Sequence, residues 1–128
     1  MAELPDVDCA RALPLPEVAR RLAACDTLVT NDSGPAHYAT VTPIDVITLF
    51  GPETPAVFGA RTPRSHLLWA GLVCSPCVNA FNDRQSACRD NLCMQKIGVD
   101  EVFDLACSIF DRRRGSGSSA RDERPAVP

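Results

Sequence analysis

The sequence predicts an α/β fold in which a parallel sheet is flanked by helices. Strand and helix signals alternate along the chain, and this alternation is typical of strands joined by right-handed helical crossovers. The clearest strand, at residues 44–50 (IDVITLF), is almost continuously apolar. Such a run suits a parallel strand that is covered by helices on both faces.

The apolar periodicity defines each element in order. It predicts strands over residues 7–10, 27–30, 44–50 and 67–70, and helices over residues 16–24, 35–41 and 99–113. One apolar face of the first helix carries Leu15, Val18, Ala19 and Leu22. Pro43 favours extended backbone just before the strongest strand. In the last helix the apolar positions are Val102, Phe103, Leu105, Ala106, Ile109 and Phe110.

A small-residue turn lies between the second strand and the second helix, at residues 30–37 (TNDSGPAH). Pro35 suits the first turn of a helix, and either Asp32 or Ser33 can act as the N-cap. Unpaired N–H groups and the positive end of the helix dipole favour a phosphate or another anion there. Asp32 and His37 flank the turn and can both reach one ligand. The alternative interpretation is an ordinary capped turn with no ligand.

Position in the sheet also favours a site at this turn. Ligands of open parallel sheets lie beyond the carboxyl ends of the strands. Asp32 and the turn at residues 51–53 (GPE) both follow predicted strands.

Composition excludes several classes of protein. The 128 residues carry a net charge of −3, which argues against a general nucleic-acid-binding protein. No apolar run is long enough to span a bilayer and no signal peptide is evident, so a cytoplasmic location is expected. Residues 115–128 are rich in Gly, Ser, Pro and charge, which predicts a disordered tail after a domain at residues 1–114. Arg112, Arg113 and Arg114 are interpreted as a solvated helix end.

Seven cysteines in a cytoplasmic protein are expected to be thiols or metal ligands rather than disulfides. Four of them are spaced so that they could enclose a tetrahedral zinc ion: Cys74, Cys77, Cys88 and Cys93. The alternative is that these four are ordinary thiols of a loop. The remaining thiols and two aromatic residues are predicted to lie in the core: Cys9, Cys25, Cys107, Phe50 and Trp69. His66 is interpreted as an ordinary strand or loop histidine.

Four stretches together resemble the carboxyl-terminal domain of glycosyltransferase family 9, which includes the heptosyltransferases of lipopolysaccharide assembly. They are TNDSGPAHYA, ITLFGPETP, CSPC and the later CM, and they occur in the family's order. The resemblance covers residues 7–110. It implies a partial Rossmann-like sheet, the second domain of a two-domain GT-B enzyme, with a cysteine-containing loop and a C-terminal helix.

The resemblance also implies roles for individual residues. Asp32 would hold hydroxyls of the donor sugar, while Ser33 and Gly34 would offer backbone N–H groups to its diphosphate. His37 would contact the phosphate or hold the turn, and Leu13 would line the adenine pocket. The donor would be ADP-heptose or a similar nucleotide sugar, with no cofactor required. The acceptor would be a lipid-linked saccharide bound by the other domain.

Residues 1–128 lack counterparts of the family's acceptor domain and of the opening strands of its donor domain. We therefore expect no transferase activity from this chain alone. An unpaired sheet edge would favour self-association. The full-length protein would be cytoplasmic, with a peripheral position at the inner membrane. A different hypothesis is a non-catalytic module in which the loop from Cys74 to Cys93 binds a metal or a partner.

Overall fold

The computed structural model describes residues 12–78, 82–83 and 85–116. Its strands are β1 (Thr27–Asn31), β2 (Asp45–Phe50) and β3 (Ser65–Trp69), and its helices are α1 (Leu15–Ala24), α2 (Gly34–Ala39), α3 (Pro55–Phe58), α4 (Leu92–Gln95) and α5 (Val99–Ser116). The strand predicted at residues 7–10 lies outside the described residues, and with it the predicted core thiol Cys9. Residues 117–128 of the predicted tail also lie outside them. None of the described helices is long and apolar enough to cross a membrane.

The three strands form one parallel sheet in the order β1-β2-β3. The register pairs Thr27 with Asp45 and Val46 with Ser65. Every residue of β2 except Leu49 is buried, as a central strand covered on both faces requires. The α/β prediction is therefore confirmed. Within the described residues, the outer edges of β1 and β3 have no further strand, and self-association through them stays a prediction.

The core lies between α1, α2 and the sheet. Its main cluster contains Leu22, Ala39, Ile44 and Val46, with Val18 and Leu28 packed against it. Phe50, Ile47 and Ile109 are also fully buried. The predicted burial of Phe50 is confirmed. Of the apolar face predicted for α1, Val18 and Leu22 pack into the core, whereas Leu15 and Ala19 are exposed.

The prediction of a core position was wrong for three residues. Cys25 and Cys107 are exposed, and Trp69 keeps 39% of its surface exposed. Cys25 lies just beyond the last turn of α1, where the chain is already leaving the packed helix face. Trp69 ends the edge strand β3, where only one neighbouring strand shields it.

Helix α5 carries more apolar residues than it buries against the sheet. Ile109 is fully buried, whereas Phe103 is 64% exposed and Phe110 is 48% exposed. A helix presents only one stripe of residues to a sheet, at three- and four-residue spacing. Phe103, Cys107 and Phe110 share such a spacing on another face. Cys107, the one residue of this second stripe that was predicted to lie in the core, is exposed with it.

The amino-terminal edge of the sheet holds a buried carboxylate with several cationic partners. The side chain of Asp45 is only 5% exposed. Its Oδ1 accepts hydrogen bonds from His66 Nε2 at 2.9 Å and from Arg112 Nη2 at 3.0 Å. Its Oδ2 accepts one from Arg113 Nε at 2.7 Å, and Arg113 Nη2 also donates to the carbonyl of Pro43 at 2.6 Å.

The interpretation of the arginine run as a solvated helix end was therefore wrong for Arg112 and Arg113. Both bind the first residue of β2 and hold the end of α5 against the sheet. The reason is electrostatic, because a carboxylate that loses water on burial must be compensated by charge and hydrogen bonds. His66, interpreted as an ordinary strand or loop histidine, lies in β3, where it hydrogen-bonds the buried carboxylate of Asp45.

This cluster predicts a loss of stability in acid. Burial raises the pKa of Asp45, but hydrogen bonds from His66 and Arg113 and the charges of Arg113 and Arg112 outweigh it and hold the pKa below the usual 3.8. The stabilisation is therefore complete above the pKa of the unfolded chain and is lost as pH falls through the lower folded value. Urea unfolding followed across this acid range should show a decreasing free energy of unfolding. Asp45→Asn should flatten that dependence, and an unchanged slope in the variant would contradict the prediction.

Candidate functional site

A cavity of about 300 Å³ opens at the carboxyl ends of β1 and β2. Its lining comes from the ends of both strands, from the turn after β2 and from α4 with the residue before it: Asn31, Asp32, Leu49, Gly51, Pro52, Glu53, Asn91 and Met94. This is the edge of an open parallel sheet at which ligands bind. The structure thus places Asp32 and the turn at residues 51–53 beside one cavity.

The turn after β1 forms one side of this site. The amide of Asp32 donates to the carbonyl of Leu49 at 3.2 Å, which ties the turn to the end of β2. His37 Nε2 lies 3.9 Å from Asp32 Oδ1, so the two predicted site residues do meet. The side chain of His37 is 56% exposed and that of Asp32 is 17% exposed.

Helix α2 begins at Gly34 with Ser33 in the N-cap position. Ser33 makes no side-chain capping bond, and its hydroxyl donates instead to the carbonyl of Asn31 at 3.2 Å. Ser33 therefore occupies the predicted N-cap position, but its side chain does not cap the helix. N–H groups in the first turn of a helix have no acceptor within the helix. Ser33, Gly34 and Pro35 are all exposed, so the opening of this helix is accessible to a ligand.

Leu13, the remaining predicted donor contact, lies just before α1 and is half-buried. It is not among the residues that line the cavity. An adenine group at Leu13 would therefore lie outside this cavity.

The turn after β2 contributes a carboxylate, Glu53, with an unusual environment. Its Oε1 is buried and has no hydrogen-bond partner among the described residues. A buried acceptor without a partner costs about 1–3 kcal/mol, and more when it is charged. The sequence placed Glu53 in the turn beyond a strand, but the local pattern carried no signal of this unmet hydrogen bond.

Residues of the cysteine-containing loop hydrogen-bond the backbone of this turn. The buried hydroxyl of Ser75 donates to the carbonyl of Gly51 at 2.7 Å and accepts from Trp69 Nε1 at 3.1 Å. The amides of Cys77 and Val78 both donate to the carbonyl of Pro52, at 2.9 Å and 3.2 Å. The loop thus fixes the backbone of the turn that carries Glu53.

Ser75→Ala tests this support. The substitution leaves the carbonyl of Gly51 and the indole N–H of Trp69 without their partner, and we expect it to lower the free energy of unfolding by about 1–3 kcal/mol. Chemical denaturation measures the change. Ser108→Ala is the matched control, because that exposed hydroxyl donates only to Leu105 of its own helix. Equal stability of the two variants would show that Ser75 does not hold the turn.

The opposite wall of the cavity is formed by Asn91 and the short helix α4. Asn91 adopts the left-handed conformation, with φ of 50°, and its carbonyl accepts from the amides of Met94 and Gln95 at 3.1 Å and 3.2 Å. A Cβ atom on Gly51 would lie 2.7 Å from Met94 Sδ, so a larger residue there would require the flexible side chain of Met94 to move. Neither Asn91 nor Met94 was predicted as a site residue, and α4 is too short for a periodic signal.

The four cysteines of the predicted zinc site differ in their surroundings. Cys93 is buried, and its thiol donates to Asn91 Oδ1 at 3.6 Å. Cys77 Sγ accepts from the hydroxyl of Ser86 at 3.3 Å, and Cys74 and Cys88 are exposed. Across the described ranges, no three His, Cys, Asp or Glu residues are grouped as a metal ion requires. The zinc site stays a prediction that elemental analysis of the reduced protein can decide.

Comparison with known families matches residues 2–87 to the family described as glycosyltransferase family 9 (heptosyltransferase). The match covers more than half of the chain, including the turn after β1 and the turn after β2. This chain belongs to glycosyltransferase family 9. The resemblance carried by the motifs around Asp32 and Gly51 is confirmed.

Curated relatives within family 9 agree with this assignment. The chain is 31% identical over 91 residues to a lipooligosaccharide heptosyltransferase 2 of Campylobacter jejuni serotype O:6, covering 66% of this chain and 26% of the relative. It is 28% identical over 97 residues to the protein of the same name from serotype O:2, covering 71% and 28%. The chain thus spans about a quarter of the length of these relatives. No solved structure matches it significantly.

Proposed function

We propose that this family 9 chain is the donor-binding half of a glycosyltransferase and binds a nucleoside-diphosphate sugar of the ADP-heptose type. The observation that carries the proposal is the cavity at the carboxyl edge of the sheet, directly beside the turn from Asp32 to His37. The names of the Campylobacter relatives support a heptose as the sugar transferred. A lipooligosaccharide-type, lipid-linked saccharide is the proposed acceptor, bound outside this chain.

The chemistry of the turn suits the diphosphate. Transfer of the sugar leaves negative charge on the nucleotide, and N–H groups fixed in advance stabilise such charge without reorganisation. Ser33 and Gly34 supply these groups at the exposed start of α2, and His37 lies one turn further along the same helix. Asp32 belongs to the turn and also lines the cavity, where its carboxylate can accept hydrogen bonds from sugar hydroxyls.

These groups are too few for catalysis by themselves. One helix end contributes about 0.3–1 kcal/mol to the binding of an anion when exposed, whereas glycosyl transfer requires a far larger lowering of the barrier. We therefore propose that the chain alone binds the donor without transferring its sugar. The base that activates the acceptor and further cationic groups would belong to the rest of the enzyme.

A titration with ADP tests the proposal. We expect chemical-shift changes in the amides of Ser33, Gly34 and His37, because the diphosphate would lie against them. The amides of α5, such as that of Ser108, serve as the internal reference and should not move. Changes spread evenly over the protein, or no change at millimolar ADP, would contradict the proposed function.

A further inference from the structure

The chemistry of the cavity wall differs from that of the turn beside it. Two carboxylates, Asp32 and Glu53, and two carboxamides, Asn31 and Asn91, are among its lining residues. None of the described lining residues is a lysine, arginine or histidine. Two carboxylates repel a phosphate at close range. The cavity is therefore unsuited to the diphosphate that the turn would bind.

A neutral polyhydroxylated ligand suits the same wall. Carboxylate oxygens are acceptors only, while a carboxamide both donates and accepts. A sugar ring presents several hydroxyls that can act in both ways. At about 300 Å³, the cavity is at the small end of ligand sites, which fits one sugar ring rather than a whole nucleotide sugar.

One carboxylate oxygen of Glu53 lacks a hydrogen-bond donor among the described residues. Its Oε1 is buried without a partner in the described structure, and the turn that carries it is held by hydrogen bonds to the carbonyls of Gly51 and Pro52. The backbone of the turn is thus fixed while one oxygen of its carboxylate lacks a hydrogen bond. A ligand hydroxyl entering the cavity, with a small rotation of the carboxylate, would supply that bond.

We propose that Glu53 is a specificity-determining residue, which accepts a hydrogen bond from a hydroxyl of the donor sugar when that sugar lies in this cavity. Asn31 and Asn91 complete the polar wall, and the diphosphate stays outside on the turn at Ser33 and Gly34. This inference rests on the proposed function, because it assumes that a nucleotide sugar is the ligand. It divides the ligand between two neighbouring surfaces of opposite electrostatic preference.

The experiment compares ADP with ADP-heptose on the full chain, by calorimetry and by NMR. In the unmodified protein, ADP-heptose should bind more tightly than ADP, and it alone should shift the side-chain amide signals of Asn31 and Asn91. Glu53→Ala should weaken the binding of ADP-heptose by about tenfold, as expected for loss of a hydrogen bond to a charged group. Its affinity for ADP should change by less than about twofold, since the phosphates do not reach Glu53. Glu101→Ala, which removes an exposed carboxylate at the start of α5, should change neither affinity.

The outcomes separate the two proposals. If ADP fails to bind the unmodified protein, the proposed function fails and this inference fails with it. If ADP binds but ADP-heptose binds no better and leaves Asn31 and Asn91 unshifted, only the sugar subsite is overturned. Equal weakening of both ligands by Glu53→Ala would also overturn it, because Glu53 would then be supporting the phosphate turn. Glu53→Gln, which keeps an oxygen acceptor at the same place, should recover part of the loss seen with alanine.

Discussion

Replacing Asp45 with alanine is expected to lower the free energy of unfolding by about 3 kcal/mol, the lower part of the range for breaking a buried ion pair. The carboxylate is almost fully buried and accepts hydrogen bonds from His66, Arg112 and Arg113. Without it, Arg112 and Arg113 lose the buried anion that they share at the end of α5. Both arginines retain contact with water, so we expect a loss of stability at the lower end of that range. Urea denaturation followed by circular dichroism measures it.

Asp26→Ala is the control for this prediction. Asp26 is also close to Arg113, at 3.8 Å, but its side chain is 56% exposed. Exposed pairs contribute about 0–1 kcal/mol, so this variant should remain close to the unmodified protein. If Asp45→Ala and Asp26→Ala lose the same stability, the buried cluster is not what holds α5 to the sheet. Asp45→Ala could instead lose the expected stability while the α5 amides keep their protection from hydrogen exchange. That result would show that the cluster does not hold α5 to the sheet.

The sheet was predictable because its information is local. Each strand carries its own β-branched or apolar run, and β2 is apolar throughout, so no knowledge of its neighbours was needed. The contacts of Asp45 were not predictable in this way. Its arginine partners lie 67 and 68 residues further along the chain, and the same arginines satisfy the rule for a solvated helix end.

The candidate site also has a part that was predictable from local sequence and a part that was not. The turn from Asp32 to His37 was predicted because a strand, small residues and Pro35 occur in immediate succession. Asn91 and Met94 come from a short helix some 60 residues later, and only the fold brings them to the end of β2. The role of Ser75 could not be predicted for a related reason, because its hydroxyl donates to Gly51, 24 residues earlier in the chain.

Periodicity predicted helix α5 but did not show which of its apolar residues are buried. Phe103 and Phe110 fit an amphipathic pattern, yet the three-stranded sheet buries the stripe that contains Ile109 instead. An apolar pattern shows which residues of a helix can be buried. The area of the sheet that faces the helix decides which of them are buried.

Gly34→Pro is expected to weaken ADP binding by about tenfold while leaving the fold intact. Proline removes the N–H group proposed to bind the diphosphate, and hydrogen bonds to charged groups contribute about 1.5–3 kcal/mol. The position tolerates proline because Gly34 is the first residue of α2, where no acceptor for its N–H lies within the helix. Ser33 before it is extended, with φ of −160° and ψ of 176°, as a residue preceding proline prefers. Calorimetric titration measures the affinity.

Gly34→Ala isolates the contribution of that single N–H group. A Cβ atom at this position would meet nothing within 4 Å, so alanine adds a side chain in open space and keeps the amide donor. Alanine should therefore bind ADP within about threefold of the unmodified protein, a difference of less than 1 kcal/mol. Residue 34 precedes Pro35, where a side chain disfavours helical backbone, so thermal melting of both variants checks that the fold is retained. Equal ADP affinity of the proline and alanine variants would mean that the diphosphate is not bound by the amide of Gly34, and the phosphate site would then have to be sought at His37 and the neighbouring amide of Ser33.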